Sequence, residues 1–181
     1  MATVITHAVV GAGLGTLFTS RRMPPLFWLT TVALAMAPDL DVWAFPLGID
    51  YGDPLGHRGF THSLLFALLA GGTAALLTGR RLGGSLFDLW GFFFLVTASH
   101  GLLDACTNGG LGVGFFVPFE NSRYFFPWRP IEVSPIGLRN FWSERGLKVM
   151  RSELLWVWLP TAAIVVPVLL FRLWRRRRRP A

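Results

Sequence analysis

Long apolar stretches separated by short polar ones dominate this sequence. Five of them stand out, at residues 2–19, 26–45, 64–79, 86–106 and 154–171. A helix needs about 20 apolar residues, with a range of roughly 17 to 25, to cross the hydrocarbon core of a bilayer. The pattern therefore predicts an all-α fold, a multi-pass membrane helical bundle with about five spans. The third stretch is short, and Pro38, Asp39 and Asp41 interrupt the second, which predicts a polar notch at its end.

The composition agrees with a membrane protein. Hydrophobic residues make up 52% of the chain and charged residues 15%, with a mean hydropathy of +0.49. These values are unusual for a soluble domain, and a length of 181 residues predicts a single membrane domain, 1–181. Membrane lipids are therefore expected to surround the protein, whereas its oligomeric state stays open.

The basic residues cluster at the ends of the apolar stretches. The formal net charge is +7, and the clusters are Arg21–Arg22, Arg80–Arg81 and the tail 172–181. Because basic residues beside spans mark the cytoplasmic side, these clusters are predicted inside. The N-terminus, the loop 46–61 and the segment 107–153 are then predicted outside, although they also carry basic residues. This distribution favours membrane anchoring over specific nucleic-acid binding.

All four histidines and three of the aspartates fall near the predicted outer ends of the spans. They are His7 in the first span, Asp39 and Asp41 at the end of the second, His57 and His62 before the third, and His100 and Asp104 at the end of the fourth. Ionisable residues inside apolar runs are functional candidates by default. Four helices are thus predicted to bring these potential metal ligands to one level.

The chemistry of this set suits a divalent metal. His100 and Asp104 are four residues apart, so they share one helix face and can bind one cation together. Imidazole nitrogen and carboxylate oxygen suit zinc, with manganese as the alternative, in a site of one or two ions. The metal would lower the pKa of its water and polarise a substrate oxygen, with Asp39 or His62 as general base or orienting group. Whether His57 or His62 is the ligand stays open.

The segment between the fourth and fifth spans is rich in aromatic residues. Half of residues 115–128 are aromatic, which is typical of an interfacial segment, and its prolines and glycines argue against one continuous helix. Arg58, Arg123 and Arg129 are candidates to clamp a phosphate group. They suggest a phosphate ester or a phospholipid headgroup as substrate. Arginines at a bilayer surface need no substrate to explain them, so this step is a hypothesis.

One early histidine and three short motifs give this sequence a resemblance to the YdjM family. They are His7, Ala-Pro-Asp-Leu-Asp at 37–41, His-Arg-Gly-Phe-Thr-His-Ser at 57–63 and Ser-His-Gly-Leu-Leu-Asp at 99–104, within residues 1–130. That family is described as inner-membrane-associated, metal-dependent hydrolases, some of them called LexA-binding. The resemblance implies a location in the bacterial inner membrane. It also implies metal ligation by His7, Asp39 or Asp41, His57 or His62, His100 and Asp104.

A looser similarity joins the chain to zinc-dependent phospholipase C and the P1 nucleases, soluble helical enzymes that act on phosphate esters. Asp41, His57, His100 and Asp104 would be the corresponding positions. No histidine follows His100, so the chain lacks the later histidine ligands of those enzymes. One or two metals, rather than a full three-zinc cluster, is what the similarity implies here.

The sequence is compatible with three functions. The first is a metal-dependent hydrolase at the outer membrane face, with a metal-activated water as nucleophile. The second is a non-catalytic interaction or regulatory protein with a structural histidine and aspartate metal site. The third is a metal-ion or proton pathway, which should show polar residues through the full depth of the bilayer. The inner halves of the predicted spans are nearly free of such residues, which disfavours transport.

Overall fold

The computed structural model describes residues 1–135 and 142–178 of the chain. Within these residues the secondary structure is helical, with isolated β-bridges but no strand, so the all-α prediction is confirmed. The elements are α1 (Val4–Phe18), α2 (Pro25–Met36), two 3-10 helices (Ala37–Leu47 and Phe60–His62), α3 (Leu64–Leu82), α4 (Leu86–Ala105), α5 (Glu144–Glu153), a π-helical segment (Leu154–Trp158) and α6 (Leu159–Arg177).

Short polar side chains begin most of the helices. Thr3, Ser63, Ser85 and Ser143 occupy N-cap positions, and each side-chain oxygen accepts a hydrogen bond from the backbone N–H three residues later. Each bond satisfies a donor that the first helical turn leaves without a partner. The start of α2 is different, because Pro25 occupies a first-turn position where a missing N–H costs nothing.

Small residues let the helices approach closely. A Cβ added at Gly71 of α3 would lie 2.6 Å from the backbone nitrogen of Phe94 in α4. A Cβ added at Gly11 of α1 would lie 2.8 Å from the Cβ of Ala35 in α2. Helix backbones in membranes pack best where such side chains are missing. These two positions therefore fix the spacing of two helix pairs.

An aromatic core joins α1, α2 and α4 toward the helix ends that are remote from the histidines. Phe27, Phe92, Phe93 and Val96 are buried in one cluster. Phe18, at the end of α1, stacks on Phe92 with 4.3 Å between the ring centroids. Burial of aromatic side chains of this size contributes much of the packing energy of a small core.

Among the described residues, three helices are long and apolar enough to cross a membrane, Pro25–Leu47, Leu86–Ala105 and Glu144–Arg177. They coincide with the second, fourth and fifth predicted spans, although the last helix begins at Glu144 rather than at residue 154. The first and third predicted spans correspond to α1, with 15 residues, and α3, with 19. With 15 residues, α1 is shorter than the usual lower limit of about 17 for a membrane-spanning helix, so the five crossings remain a prediction.

Residues 107–135 form no helix and fold back against the loop that precedes α3. Val113 and Tyr124 exchange backbone hydrogen bonds of 2.8 and 2.9 Å. The backbone N–H of Gly114 donates to the carbonyl of Arg58 at 2.8 Å. The segment therefore covers the end of the bundle where α4 finishes and α3 begins. The remainder of the predicted outer segment at 136–141, and the end of the basic tail at 179–181, lie outside the described residues.

Candidate metal centre

The structure brings all seven predicted ligands to one end of the bundle. His7 lies in α1, Asp39 and Asp41 in the longer 3-10 helix, His57 in the following loop, His62 just before α3, and His100 and Asp104 near the end of α4. None of these residues is more than 7% exposed. Burying ionisable groups is costly unless they are paired or bind a metal. The contacts of each residue therefore show whether it is paired within the protein or available to a metal ion.

The 3-10 helix sends the two aspartates to different partners. Pro38 lacks the backbone N–H that would extend α2, and the chain tightens after Met36. Oδ1 of Asp39 then lies 3.3 Å from Nε2 of His100. Oδ1 of Asp41 lies 2.6 Å from Nδ1 of His57. Two carboxylates that are near neighbours in sequence thus serve different parts of the site.

Asp39, His62, His100 and Asp104 form a compact group of ligand atoms, one from each residue, all within 4.8 Å of one another. Nε2 of His62 is 3.1 Å from Nε2 of His100 and 3.6 Å from Oδ2 of Asp104. Ligand bonds of about 2.0 to 2.1 Å in a tetrahedral zinc site place neighbouring ligand atoms about 3.3 Å apart. The separations in this group therefore fit one metal ion.

The Nδ1 atoms of His62 and His100 determine how the two imidazole rings face each other. Nδ1 of His100 lies 2.7 Å from the carbonyl oxygen of Ala35, an acceptor, so this nitrogen carries the proton. Nδ1 of His62 forms an ion pair with Oδ2 of Asp41 at 3.1 Å and lies 3.1 Å from the hydroxyl oxygen of Thr61, which donates its own proton to Asp41, so this nitrogen also carries a proton. In neutral rings both Nε2 atoms then present lone pairs to each other, and a cation or a proton has to lie between them.

The charge of His62 reflects this environment. Burial lowers its pKa, but the contacts with Asp104 and Asp41 outweigh burial and raise the pKa to about 9. A proton on Nε2 can therefore bridge His62 to His100 when no metal is bound. Metal ligands have to be deprotonated, so protons and metal ions compete for this position.

Asp39 lacks the hydrogen-bond donors that a buried carboxylate needs. Neither Oδ1 nor Oδ2 has a partner within the described part of the chain, although the residue is only 5% exposed. An isolated carboxylate is far more costly to bury than a paired one. The Nε2 atoms of His100 and His62 lie 3.3 and 3.8 Å from Oδ1 of Asp39. A cation among these three groups would satisfy the carboxylate.

Asp41 has the opposite environment. Oδ1 accepts a hydrogen bond from Nδ1 of His57, and Oδ2 accepts from the hydroxyl of Thr61 at 2.6 Å and from the backbone N–H of Arg58 at 3.1 Å. Asp41, His57 and His62 are also close enough to hold a metal ion. The 2.6 Å contact with His57 is nevertheless a hydrogen-bond length, shorter than the roughly 3.3 Å expected between two ligands of one ion. This group is therefore better suited to orienting His62.

Arg58 lies inside the cluster and is fully buried. Its Nε is 3.0 Å from Oδ2 of Asp104, an ion pair whose N–H is not aligned as a hydrogen bond. Nη1 donates to the carbonyl of Gly109 and Nη2 to the hydroxyl of Thr107, each at 2.9 Å. The backbone of Arg58 also has a left-handed φ of 63°, which is uncommon for a residue with a side chain. The guanidinium is thus committed to groups of the protein.

Arg123 and Arg129 lie apart from this buried arginine. Arg123 donates to the carbonyl oxygens of Asp53 at 2.8 Å and His57 at 3.2 Å, which holds the loop in front of the cluster. Arg129 is exposed and lies over the ring of Phe125, 4.7 Å from its centroid. The structure therefore gives the predicted phosphate-binding arginines three different surroundings, and their contact with a substrate stays a prediction.

His7 borders the four-residue group without belonging to it. Its ring stacks on that of His100, with 3.6 Å between centroids and 12° between planes. Its Nε2 lies 3.5 Å from Oδ1 of Asp104, and neither ring nitrogen has a hydrogen-bond partner among the described residues. His7 is thus placed to support Asp104 or to act as a further ligand.

Glu153, a further buried carboxylate, was not predicted from the sequence. It accepts hydrogen bonds of 2.6 Å from the hydroxyls of Thr3 and Thr6, and Thr6 in turn accepts one of 2.7 Å from the indole N–H of Trp158. These bonds anchor the first turn of α1, directly before His7. The available signal was an acidic residue immediately before the last apolar stretch.

Comparison with known proteins extends the resemblance over nearly the whole chain. The sequence profile of the YdjM inner membrane protein family matches residues 1–178. The chain is 42% identical over 178 residues to inner membrane protein YbcI of Escherichia coli (strain K12), covering 98% of this chain and 100% of that protein. No solved structure matches the chain.

Proposed function

This chain belongs to the YdjM inner membrane protein family, and we propose that its buried cluster binds one divalent metal ion and supports hydrolysis at the outer membrane face. One observation carries the proposal. The Nε2 atoms of His62 and His100 face each other at 3.1 Å, with Oδ1 of Asp39 3.3 Å from His100. These atoms need a proton or a cation between them, and a cation would also satisfy the carboxylate of Asp39, which has no hydrogen-bond donor within the described residues.

We assign Asp39, His62, His100 and Asp104 as the ligands. Imidazole nitrogen and carboxylate oxygen are donors that zinc accepts, and manganese is the alternative. A metal in such a site lowers the pKa of a coordinated water to about 7 and polarises a substrate oxygen. Asp41 and the carbonyl of Ala35 fix the two imidazoles, which is the usual role of groups that contact metal ligands.

Asp39 is the better candidate for proton transfer. Both nitrogens of His62 face protein groups, Nδ1 toward Asp41 and Nε2 toward His100, so this ring is committed to binding. Asp39 directs Oδ1 at the imidazoles, while its Oδ2 has no donor within the described residues. A carboxylate beside the reacting water is a suitable general base. A phosphate ester or phospholipid headgroup remains the proposed substrate class, with exposed Arg129 the most accessible of the three arginines.

A structural metal site in a non-catalytic membrane protein is the second candidate. The four proposed ligand residues are all buried. Closed sites with four protein ligands are typical of structural metals, whereas catalytic sites keep one position for water or substrate. In this alternative the metal ties α4 to the segments before α3 and after α2, and the protein acts by binding a partner.

Metal analysis of the detergent-purified protein tests both candidates. We expect stoichiometric zinc or manganese in the wild type and none in the double variant His100→Ala/Asp104→Ala. Asp88→Ala is a matched control, because Asp88 is an exposed carboxylate on the same helix and should leave the metal content unchanged. Phosphate esters and phospholipids are then offered as substrates to all three proteins.

The two candidates give different results in this experiment. Hydrolysis by the wild type and the control, lost in a double variant that still inserts and folds, supports the enzyme. A bound metal without hydrolysis, whose loss lowers the melting temperature, supports the structural site. A wild type that binds no metal, even after addition of zinc, manganese or iron, contradicts both.

A further inference from the structure

A basic groove lies at the end of the bundle opposite to the metal centre. It has a volume of about 340 Å³ and opens between the end of α1, the start of α2 and the end of α6. Its lining includes Arg21, Arg22, Arg172 and Arg176 together with Met23, Trp28, Leu169 and Leu173. A smaller cavity of about 180 Å³ shares Arg172 and Arg176 and adds Arg175. The two recesses therefore adjoin.

Hydrogen bonds to backbone carbonyls hold these arginines at the groove. Arg172 donates to the carbonyl of Thr19 at 2.7 Å, and Arg176 donates to that of Ser20 at 3.0 Å. Arg21 reaches across to the carbonyl of Gly83 at 2.9 Å. The carbonyls at the ends of α1 and α3 attract cations, so the helix ends stabilise this arrangement.

The carbonyls do not cancel the charge of the groove. Four guanidinium groups line it, and no carboxylate is among its described lining residues. Like charges held near each other repel, and the repulsion is larger where apolar groups displace water. An anion in the groove would remove this cost. Arginine suits a phosphate in particular, because its planar N–H groups match phosphate oxygens.

The apolar part of the lining indicates what the anion is attached to. Leu169 and Leu173 on α6 are 42% and 54% exposed, and the indole of Trp28 also lines the groove. A ligand that fits such a surface has a phosphate at one end and hydrocarbon at the other. We propose that the groove binds an anionic phospholipid, with the phosphate on the arginines and an acyl chain along Trp28 and α6.

Native mass spectrometry of the full-length protein in detergent tests this proposal. The probes are phosphatidylglycerol, which is anionic, and phosphatidylcholine, which is zwitterionic, added in equal amounts. We expect the wild type to retain phosphatidylglycerol preferentially. Arg172→Gln/Arg176→Gln should reduce that preference about tenfold or more, because each arginine near a lipid headgroup contributes about 1 kcal/mol. The control Arg80→Gln/Arg81→Gln removes two arginines at the same bundle end that do not line the groove.

A second variant separates binding from folding, because Arg172 also caps α1. Arg22→Gln removes an exposed groove arginine and should weaken phosphatidylglycerol retention without lowering the melting temperature. Phosphatidylglycerol with brominated chains should also quench the fluorescence of wild type more than that of Trp28→Phe. Equal retention of both lipids, or equal losses in the groove and control variants, would overturn the proposal. Displacement of the lipid by inorganic phosphate alone would also contradict it.

Discussion

Individual residues in the cluster differ mainly in how many hydrogen-bond donors reach them. Asp39 has none within the described residues, whereas Asp41 accepts from the side chains of His57 and Thr61 and from the backbone of Arg58. Both are buried carboxylates in the same 3-10 helix. A carboxylate with unfilled acceptor positions is available to a cation, and one whose positions are filled orients its neighbours. Burial alone would not have separated these roles.

We expect Asp41→Asn to weaken metal binding by about 10- to 100-fold, the usual effect of removing a group that orients a metal ligand. The amide keeps the size of the carboxylate but cannot accept from both His57 and His62. Metal titration by calorimetry checks this result, with Asp50→Asn, an exposed aspartate, as the unchanged control. A loss as complete as that in Asp39→Asn would instead make Asp41 a ligand.

The residue types of the site were predictable, because ionisable side chains are rare in apolar stretches. The role of Arg58 was not predictable. Its sequence context, between two histidines in a glycine-containing loop, resembles a surface position. Its burial depends on Asp104, Thr107 and Gly109, which the end of α4 and the following turn bring to it. A contact made only in the tertiary structure leaves no local pattern in the chain.

The bounds of the helices also depend partly on local sequence and partly on the rest of the structure. The starts of α3 and α4 follow from the N-cap residues Ser63 and Ser85, which sequence analysis can recognise. Pro38, which lacks a backbone N–H, explains only part of the division of the second predicted span into α2 and a 3-10 helix. The continuous helix from Glu144 was missed because α5 is polar, and its link to the apolar α6 is a π-helical segment.

The pairing of α3 with α4 supports the site, because α3 begins directly after His62 and α4 contains His100. We expect Gly71→Leu to destabilise the protein by roughly 1 to 3 kcal/mol, because the new side chain would meet the backbone of α4. Thermal unfolding in detergent measures the effect. Gly91→Leu is the matched control, since no atom lies within 4 Å of its added Cβ. Similar melting temperatures for the two variants would show that the helices are not closely paired.

The whole molecule separates its two polar regions by the length of the bundle. The histidine and aspartate cluster lies at one end, and the arginines of the basic groove lie at the other. The helices between them expose large apolar side chains, among them Leu29, Leu69, Leu76 and Leu95. An apolar belt between two polar ends is the arrangement expected for a protein embedded in lipid.

The positions of the arginine clusters predict which end faces the cytoplasm. A fluorescent protein fused after Arg178 should be fluorescent, because it would stay in the cytoplasm. Alkaline phosphatase fused after Asn108 should be active, because it would lie outside. Exchanging the two reporters provides the control, since each should then be inactive. The reverse pattern would place the candidate metal centre on the cytoplasmic side.

The hydrogen bonds of Glu153 join the N-terminal turn to a part of the chain that is synthesised much later. They join residues 147 and 150 positions apart, so α1 emerges from the ribosome long before its partner. The segments with Asp39, His62, His100 and Asp104 are all translated in between. Until the last helix has been inserted, the turn that carries His7 lacks these tethers. Contacts among the four proposed ligands can therefore form before these tethers of the N-terminal turn become available.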